Sequence, residues 1–292
     1  MYDRTQWFGR HGVVIHAISA LDIAIWDLFA RSRGKPLHGV LGVKHHDRLP
    51  AYATIYPLED TASRITAQVA PLLDSGFRHL KICVDPWWSD HDLVRKNLTH
   101  LRAIVGPDRG LMLDVAQEFQ RFAQLDPFLG LLQDLGFNWI EAPFPLDNLA
   151  DHIRLKAATS IPVGVGDLGI TTCKEFAPYL AAGGFDIAQP DLTMFGGLSE
   201  ARKLVSMLAP TGCRIIPHGY NTDITIAANI HFLATVPDLG LIEYSTSQSR
   251  LRRELVHGLG GIDADGMIAV PDSLGLGLTL NQQLIKETLA MA

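Results

Sequence analysis

Short runs of aliphatic and β-branched residues, each ending in polar residues, alternate along the chain with longer stretches whose apolar positions fall at i, i+3, i+4 and i+7. The runs are LPAYATI (49–55), HLKICV (79–84), GLMLDVA (110–116), WIEAP (139–143), PVGVGD (162–167), DIAQPD (186–191), RIIPHG (214–219) and LIEYS (241–245). Between them, segments such as TASRITAQVAPLLDSG (61–76) and LSEARKLVSMLAP (198–210) carry the helical spacing. Eight strands at intervals of roughly 25–30 residues have the period of βα units. Strands apolar along their whole length suit a parallel sheet covered on both faces. Right-handed crossovers repeated this often close most naturally into a barrel. An open doubly wound sheet competes, but no glycine-rich phosphate fingerprint follows the first strand.

Two segments fall outside the repeat. VIHAISALDIAIWDLFARSR (14–33) reads as an amphipathic helix ended by Gly34 and Pro36, and residues 262–285 are rich in glycine and turn formers. No low-complexity linker divides the chain. One domain is expected, with residues 1–47 as an N-terminal segment and helix leading into a barrel and return segment over residues 48–292.

Composition adds exclusions. The 292 residues are 47% hydrophobic and 19% charged, ample for a core. The net charge of −6 contains no basic block, so neither nucleic acid nor an anionic membrane surface is expected as a partner. Three scattered cysteines, Cys83, Cys173 and Cys213, make a disulfide framework improbable and fit a reducing compartment. No uninterrupted apolar run reaches the roughly 18–20 residues of a bilayer span, and the first residues, MYDRTQWFGRHG, lack a signal-peptide layout. The expectation is a soluble cytoplasmic protein.

The chemistry gathers at the strand ends, where barrels of this kind place their active sites. In order these ends carry Lys81 with Cys83, then Asp114, Glu141, Asp167, Asp191, His218 and Glu243. One acidic residue there is usually a loop residue or a helix cap; seven successive strands each bringing an ionisable group are not. Asp114, Glu141 and Asp167 from adjacent strands repel unless a cation joins them. All-oxygen ligands point to a hard ion, Mg²⁺ first and Mn²⁺ second. Asp191 and His218 end neighbouring strands about 4.8 Å apart, close enough for the carboxylate to fix the imidazole tautomer and leave a base. Lys81 and Cys83, two apart, point the same way, into the cavity. Trp87, Trp88 and Tyr220 lie near the rim, Tyr220 being a candidate substrate contact with Cys83. His45, His46, His100, His152 and His257 read as surface residues.

The segments ALDIAIWDLFARSRGKPLHGVLG (20–42), LMLDVAQ, WIEAPFP, DIAQPDLTMFGGLSEARKL, IIPHGYN and DGMIAVPDSLGLGLTLN (265–281) together resemble the mandelate racemase-like branch of the enolase superfamily over almost the whole chain. The resemblance implies a modified eight-stranded β/α barrel, (β/α)7β-like, which in the family stands behind an N-terminal α+β capping domain. It implies Mg²⁺-assisted removal of the proton α to a carboxylate, giving a metal-stabilised enolate. It makes Asp114, Glu141 and Asp167 the metal ligands, His218 oriented by Asp191 the general base, Lys81 the electrostatic helper and Glu243 a residue near the substrate carboxylate.

Four positions depart from the family pattern. Cys83 stands where relatives carry a second lysine base, Asp167 where they usually carry glutamate, and Ala116 where asparagine is common. The chain also starts where the capping domain is finishing, so most of that domain is expected to be missing. With one strong base remaining, the expectation is an acid-sugar dehydratase acting on an aldonate or aldarate. The alternatives are a racemase, a cycloisomerase or lactone-opening enzyme, and a catalytically impaired or purely binding relative. Uncovered apolar residues such as Trp7 and Phe8 lead to the expectation of a homo-oligomer.

Overall fold

The computed structural model describes residues 1–291. Short helix α1 (Tyr2–Thr5), long helix α2 (Val13–Ser32) and single-turn α3 (His38–Leu41) precede the first strand. Eight strand–helix units follow: β1 (Arg48–Ile55) with α4 (Ala62–Asp74), β2 (His79–Cys83) with α5 (His91–Val105), β3 (Gly110–Asp114) with α6 (Phe122–Asp134), and β4 (Phe137–Glu141) with α7 (Leu149–Ala158). The second half continues with β5 (Val163–Val165) and α8 (Cys173–Ala181), β6 (Ile187–Ala188) and α9 (Gly197–Leu208), β7 (Arg214–Ile215) and α10 (Asp223–Leu233), and β8 (Ile242–Ser245) with α11 (Arg250–Glu254). The return segment holds β9 (Val256–His257), β10 (Met267–Ala269), β11 (Thr279–Leu280) and α12 (Gln282–Met291).

Strands β1 to β7 pair in parallel in sequence order, and β8 returns to pair in parallel with β1. This is the β/α barrel expected from the repeat; six of its eight strands fall within the runs named above, while β1 begins one residue and β4 two residues before theirs. The return segment adds what the pattern did not show: β10 lies antiparallel against the outer side of β1, Leu49 opposite Ile268. No ladder joins β7 to β8 among the described residues.

The helices form where the apolar spacing places a stripe against the strands. In α9, Leu198, Ala201, Leu204 and Leu208 are buried, while Glu200 and Lys203 pair on the outside at 2.7 Å. Helix α10, ITIAANIHFL after its first residue, is apolar on every side and accordingly buried from Thr225 to Leu233. The side chain of Asp90 accepts from the Asp92 and Leu93 amides and so starts α5. Inside the barrel, Tyr52, Met112, Trp139, Ile187 and Ile216 form their own cluster. It closes the interior beneath the polar mouth.

Helix α2 corrects two expectations. By length and composition it is apolar enough to cross a membrane, although no uninterrupted run is, because its charges are spaced along it. Its polar groups tie it to α9 and the return segment: Asp22 accepts from the Ser199 amide at 3.0 Å, Trp26 donates to the Ser199 hydroxyl at 2.9 Å, and Asp27 accepts from the Leu276 amide at 2.6 Å. Nor is the helix amphipathic in the ordinary sense. Ile15, Ser19, Ile23 and Ala30 are buried, yet Val13, Leu21, Ile25 and Leu28 are exposed on another side. The reading of His152 as a surface residue is also wrong. It is fully buried, with its ring edge-on to both Phe144 and Tyr179 and Nδ1 bonded to the Asn148 carbonyl.

Candidate active site

Register sets the site. Cys83 on β2 is level with Asp114 on β3, which is level with Glu141 on β4. Thr54 on β1 is level with Lys81 on β2. Asp167, Asp191 and His218 lie two or three residues past the ends of β5, β6 and β7, and Glu243 lies within β8. Every ionisable strand-end residue singled out in the sequence therefore reaches the same end of the barrel, and all of them are buried.

Lys81 is completely buried and its ammonium is shared among three carboxylates. It stands 3.2 Å from Asp114, 3.0 Å from Glu243, and is hydrogen-bonded to Glu141. Burial alone would strip its proton, but these carboxylates hold its pKa well above the usual lysine value. Lys81 is thus a fixed cation. Glu243 also accepts from the Thr54 hydroxyl at 2.5 Å and from the Gly219 amide at 2.8 Å. Burial opposes its ionisation, yet Lys81 and His218 bring its pKa down to about 2.

Asp114, Glu141 and Asp167 offer ligand oxygens that all lie within 4.8 Å of one another. One Glu141 oxygen accepts from Lys81; the other accepts from Trp139 Nε1 at 3.0 Å and Gln189 Nε2 at 2.5 Å. A Cβ at Gly164 would run into the Gln189 carboxamide, so glycine there allows that bond. Burial, with the neighbouring carboxylates adding and Lys81 opposing, pushes Glu141 up to about 7. Asp167 is raised for the same first reason, and its Oδ1 is buried without any partner. Three crowded carboxylates, one with an orphaned oxygen, are the donor set of a hard divalent cation. The residues present fit such an ion, and the shorter aspartate at 167 still brings its oxygen into the cluster.

The backbone around this edge is unusual. Ala116 and Gln117, just past Asp114, and Ala142, just past Glu141, have φ of 50°, 60° and 44°. Non-glycine residues are uncommon there, and such conformations gather at functional sites. The Asp114 carboxylate accepts from the Ala116 amide at 2.9 Å, and the Gln117 amide donates to the Ala142 carbonyl at 2.8 Å. Asparagine would tolerate this conformation better than alanine.

Across the mouth, His218 Nδ1 is 2.8 Å from Asp191 Oδ2. Burial would favour the neutral ring, but Glu243 and Asp191 outweigh it and raise the His218 pKa to about 10. Asp191 also accepts from the Thr193 amide at 2.7 Å, the Thr193 hydroxyl at 2.5 Å and the Asn221 carboxamide at 3.1 Å. Cys83 is buried, and burial together with Asp114 outweighs Lys81 and raises the thiol pKa. Tyr220 is half-buried, within electrostatic reach of Cys83 and Glu243. Trp88 is packed away against Phe119 and Phe128.

Sequence reasoning missed Thr54, Trp139, Gln189, Thr193 and Asn221. Trp139 and Gln189 each lie two residues before a residue that was found, Glu141 and Asp191. Within β4 the period-two rule for strands would have placed Trp139 on the side of Glu141; Gln189 and Asp191 lie past the end of β6, where the rule does not apply.

The chain is thus a parallel β/α barrel with an acidic triad and a histidine–carboxylate pair at its C-terminal mouth. Residues 64–284 match the enolase C-terminal domain-like family, and the chain belongs to it. Among curated relatives, D-galactarolactone cycloisomerase of Agrobacterium fabrum is 27% identical over 301 residues, covering 98% of this chain and 77% of the relative. Arabinonate dehydratase of Saccharolobus solfataricus is 28% identical over 289 residues, covering 98% and 76%. The crystal structure of 3,6-anhydro-D-galactonate cycloisomerase from Zobellia galactanivorans superposes with a TM-score of 0.90 at 26% identity, covering 98% of this chain and 79% of that one.

Proposed function

We propose that the protein is a Mg²⁺-dependent acid-sugar dehydratase, a hydro-lyase that removes the proton α to a carboxylate of an aldonate or aldarate and expels the β-hydroxyl. The observation that carries this reading is that one basic group faces the triad. Lys81 is locked as a cation, and Cys83 is a neutral thiol with a raised pKa. His218 alone has a free ring nitrogen and a partner that supports a positive charge. One histidine serves dehydration on one face, because it takes the α-proton and returns it to the departing hydroxyl. Two-sided racemisation lacks its second base.

Asp114, Glu141 and Asp167 are the residues that would hold the metal. A hard divalent cation, when bound there, supplies positive charge that stabilises an enolate oxygen and weakens the hold of His218 on its proton. Lys81 contributes a second, permanent positive charge beside that oxygen. Glu243, ionised and pinned by Thr54 and Gly219, keeps Lys81 in place.

A second reading, cycloisomerisation of a sugar-acid lactone, is supported by the likeness to two cycloisomerases. Incubation with an acid-sugar library and Mg²⁺ separates the two. A semicarbazide-reactive keto acid that has lost water is expected; an isomer of unchanged mass overturns dehydration in favour of the second reading. A small-molecule carboxylate is the proposed partner in the site, and a second copy of the chain the proposed partner in solution.

A further inference from the structure

A cavity of about 590 Å³ opens at the same end of the barrel, outside the catalytic mouth, between the loops that follow β1, β2 and β3 and the start of α6. That volume lies within the range of small-molecule sites. Aromatic side chains dominate it: Tyr56, Trp88, Phe119 and Phe128. Trp88 T-stacks on Phe128 at 5.3 Å, and Phe119 lies parallel to Phe128 at 6.3 Å, so the aromatic wall is a single packed unit. Two carboxylates, Asp85 and Glu118, share the lining, and none of the lining residues is lysine or arginine.

One polar group there has no partner, and a second has a single one. Asp85 is buried and accepts only from the Leu58 amide, at 3.0 Å; burial lifts its carboxyl to about 6. Trp88 Nε1 is buried with no acceptor. Buried polar groups without partners are uncommon and costly. The cavity is also close to the reaction. Asp85 follows Cys83 by two residues, at most about 7 Å of backbone.

An anion is a poor fit for a lining with two carboxylates and no lysine or arginine, its one histidine, His91, being turned edge-on against Phe128. The exposed Tyr56 ring offers its face to the C–H face of a pyranose ring, with the packed wall of Trp88, Phe119 and Phe128 behind it, and the Asp85 and Glu118 carboxylates accept from its hydroxyls. We propose that this cavity is a subsite for a neutral sugar unit joined to the unit that bears the acid, making the substrate class a glycosylated sugar acid. The inference rests on the acid-sugar reading above.

Calorimetry with Mg²⁺ tests it using gluconate, lactobionate (the same acid carrying a galactosyl unit), cellobiose as a neutral probe and choline as a cationic one. Lactobionate is expected to bind about tenfold more tightly than gluconate, and cellobiose to bind on its own. Tyr56→Ala and Glu118→Gln each remove the lactobionate advantage at an unchanged melting temperature. Equal affinity for the two acids, an advantage that survives both substitutions, or binding of choline in place of cellobiose overturns the subsite. Cellobiose binding that persists in Asp114→Ala, with no acid turned over by the wild type, retains the subsite and overturns the reaction reading instead.

Discussion

His218 and Asp191 are joined by a 2.8 Å bond between Nδ1 and Oδ2, and the carboxylate that fixes the ring has its other oxygen saturated by Thr193. In Asp191→Asn the ring loses a negative neighbour, so His218 releases its proton at a lower pH than in the wild type. The rising limb of the kcat/KM pH profile should move to lower pH, and kcat should fall by about 10²–10⁴, the usual contribution of a positioned base. A limb that stays in place would detach His218 from that limb.

Glu141, at about 7 in the metal-free chain, must give up its proton to become a ligand. Below pH 7 Mg²⁺ therefore competes with a proton, and its affinity should fall by up to about tenfold per pH unit. Calorimetry in buffers of different ionisation enthalpy reads the released proton. At a Mg²⁺ concentration a hundredfold above Kd the fold should gain about 2.7 kcal/mol, and Asp167→Ala should abolish most of that gain. Unaltered binding in that variant would remove Asp167 from the ligand set.

Cys83→Lys restores a basic residue across from His218. In D₂O, a substrate with its α-hydrogen presented to that face should then exchange it, a change visible by proton NMR, whereas the wild type should exchange only on the His218 side. No exchange in the variant would mean that Cys83 does not face the reacting carbon.

Ala116, at φ 50°, sits in a conformation that costs an L-residue roughly 1–2 kcal/mol. Its side chain is exposed, so Ala116→Gly should raise stability by about 1 kcal/mol and Ala116→Asn by less, read as a higher Tm. A loss of stability in both would show that the turn's entropy outweighs its strain.

Much of this was legible in advance. Strands buried on both faces announce themselves as continuous apolar runs, and a barrel forces their ends together, so Asp114, Glu141, Asp167, Asp191, His218 and Glu243 could be grouped from order alone. Residues that act through those groups could not. Thr54, Thr193 and Asn221 are ordinary polar residues until the bonds they make are seen. His152 misled for a related reason: it lies on a helix that looks polar, and its burial depends on Phe144 and Tyr179 from other elements. The outward apolar side of α2 was hidden because composition does not say which side faces the barrel.

Two further histidines give a stability prediction. His231 and His38 stack with centroids 5.4 Å apart, and the His38 amide donates to His231 Nδ1 at 3.2 Å. Burial and then His38 hold His231 at about 4, whereas the unfolded chain takes up that proton near 6.5. The neutral ring's contribution is fully present above pH 6.5 and is lost as pH falls through 4, a change of up to about 3 kcal/mol. His231→Gln keeps an acceptor without a titrating ring, so urea unfolding should lose part of its pH dependence between 6.5 and 4. An unchanged dependence would place the acid sensitivity elsewhere.

Among the described residues no backbone ladder joins β7 to β8, and a group of the site spans the gap: Glu243 of β8 takes the Gly219 amide. The seam of the cylinder is thus fastened by one of the groups that would handle substrate. Loosening it for turnover also unbuttons the wall. Protection of the Gly219 amide against hydrogen exchange therefore becomes a direct gauge of how firmly the mouth is shut, rising when ligand fills it and fading first when the protein begins to open.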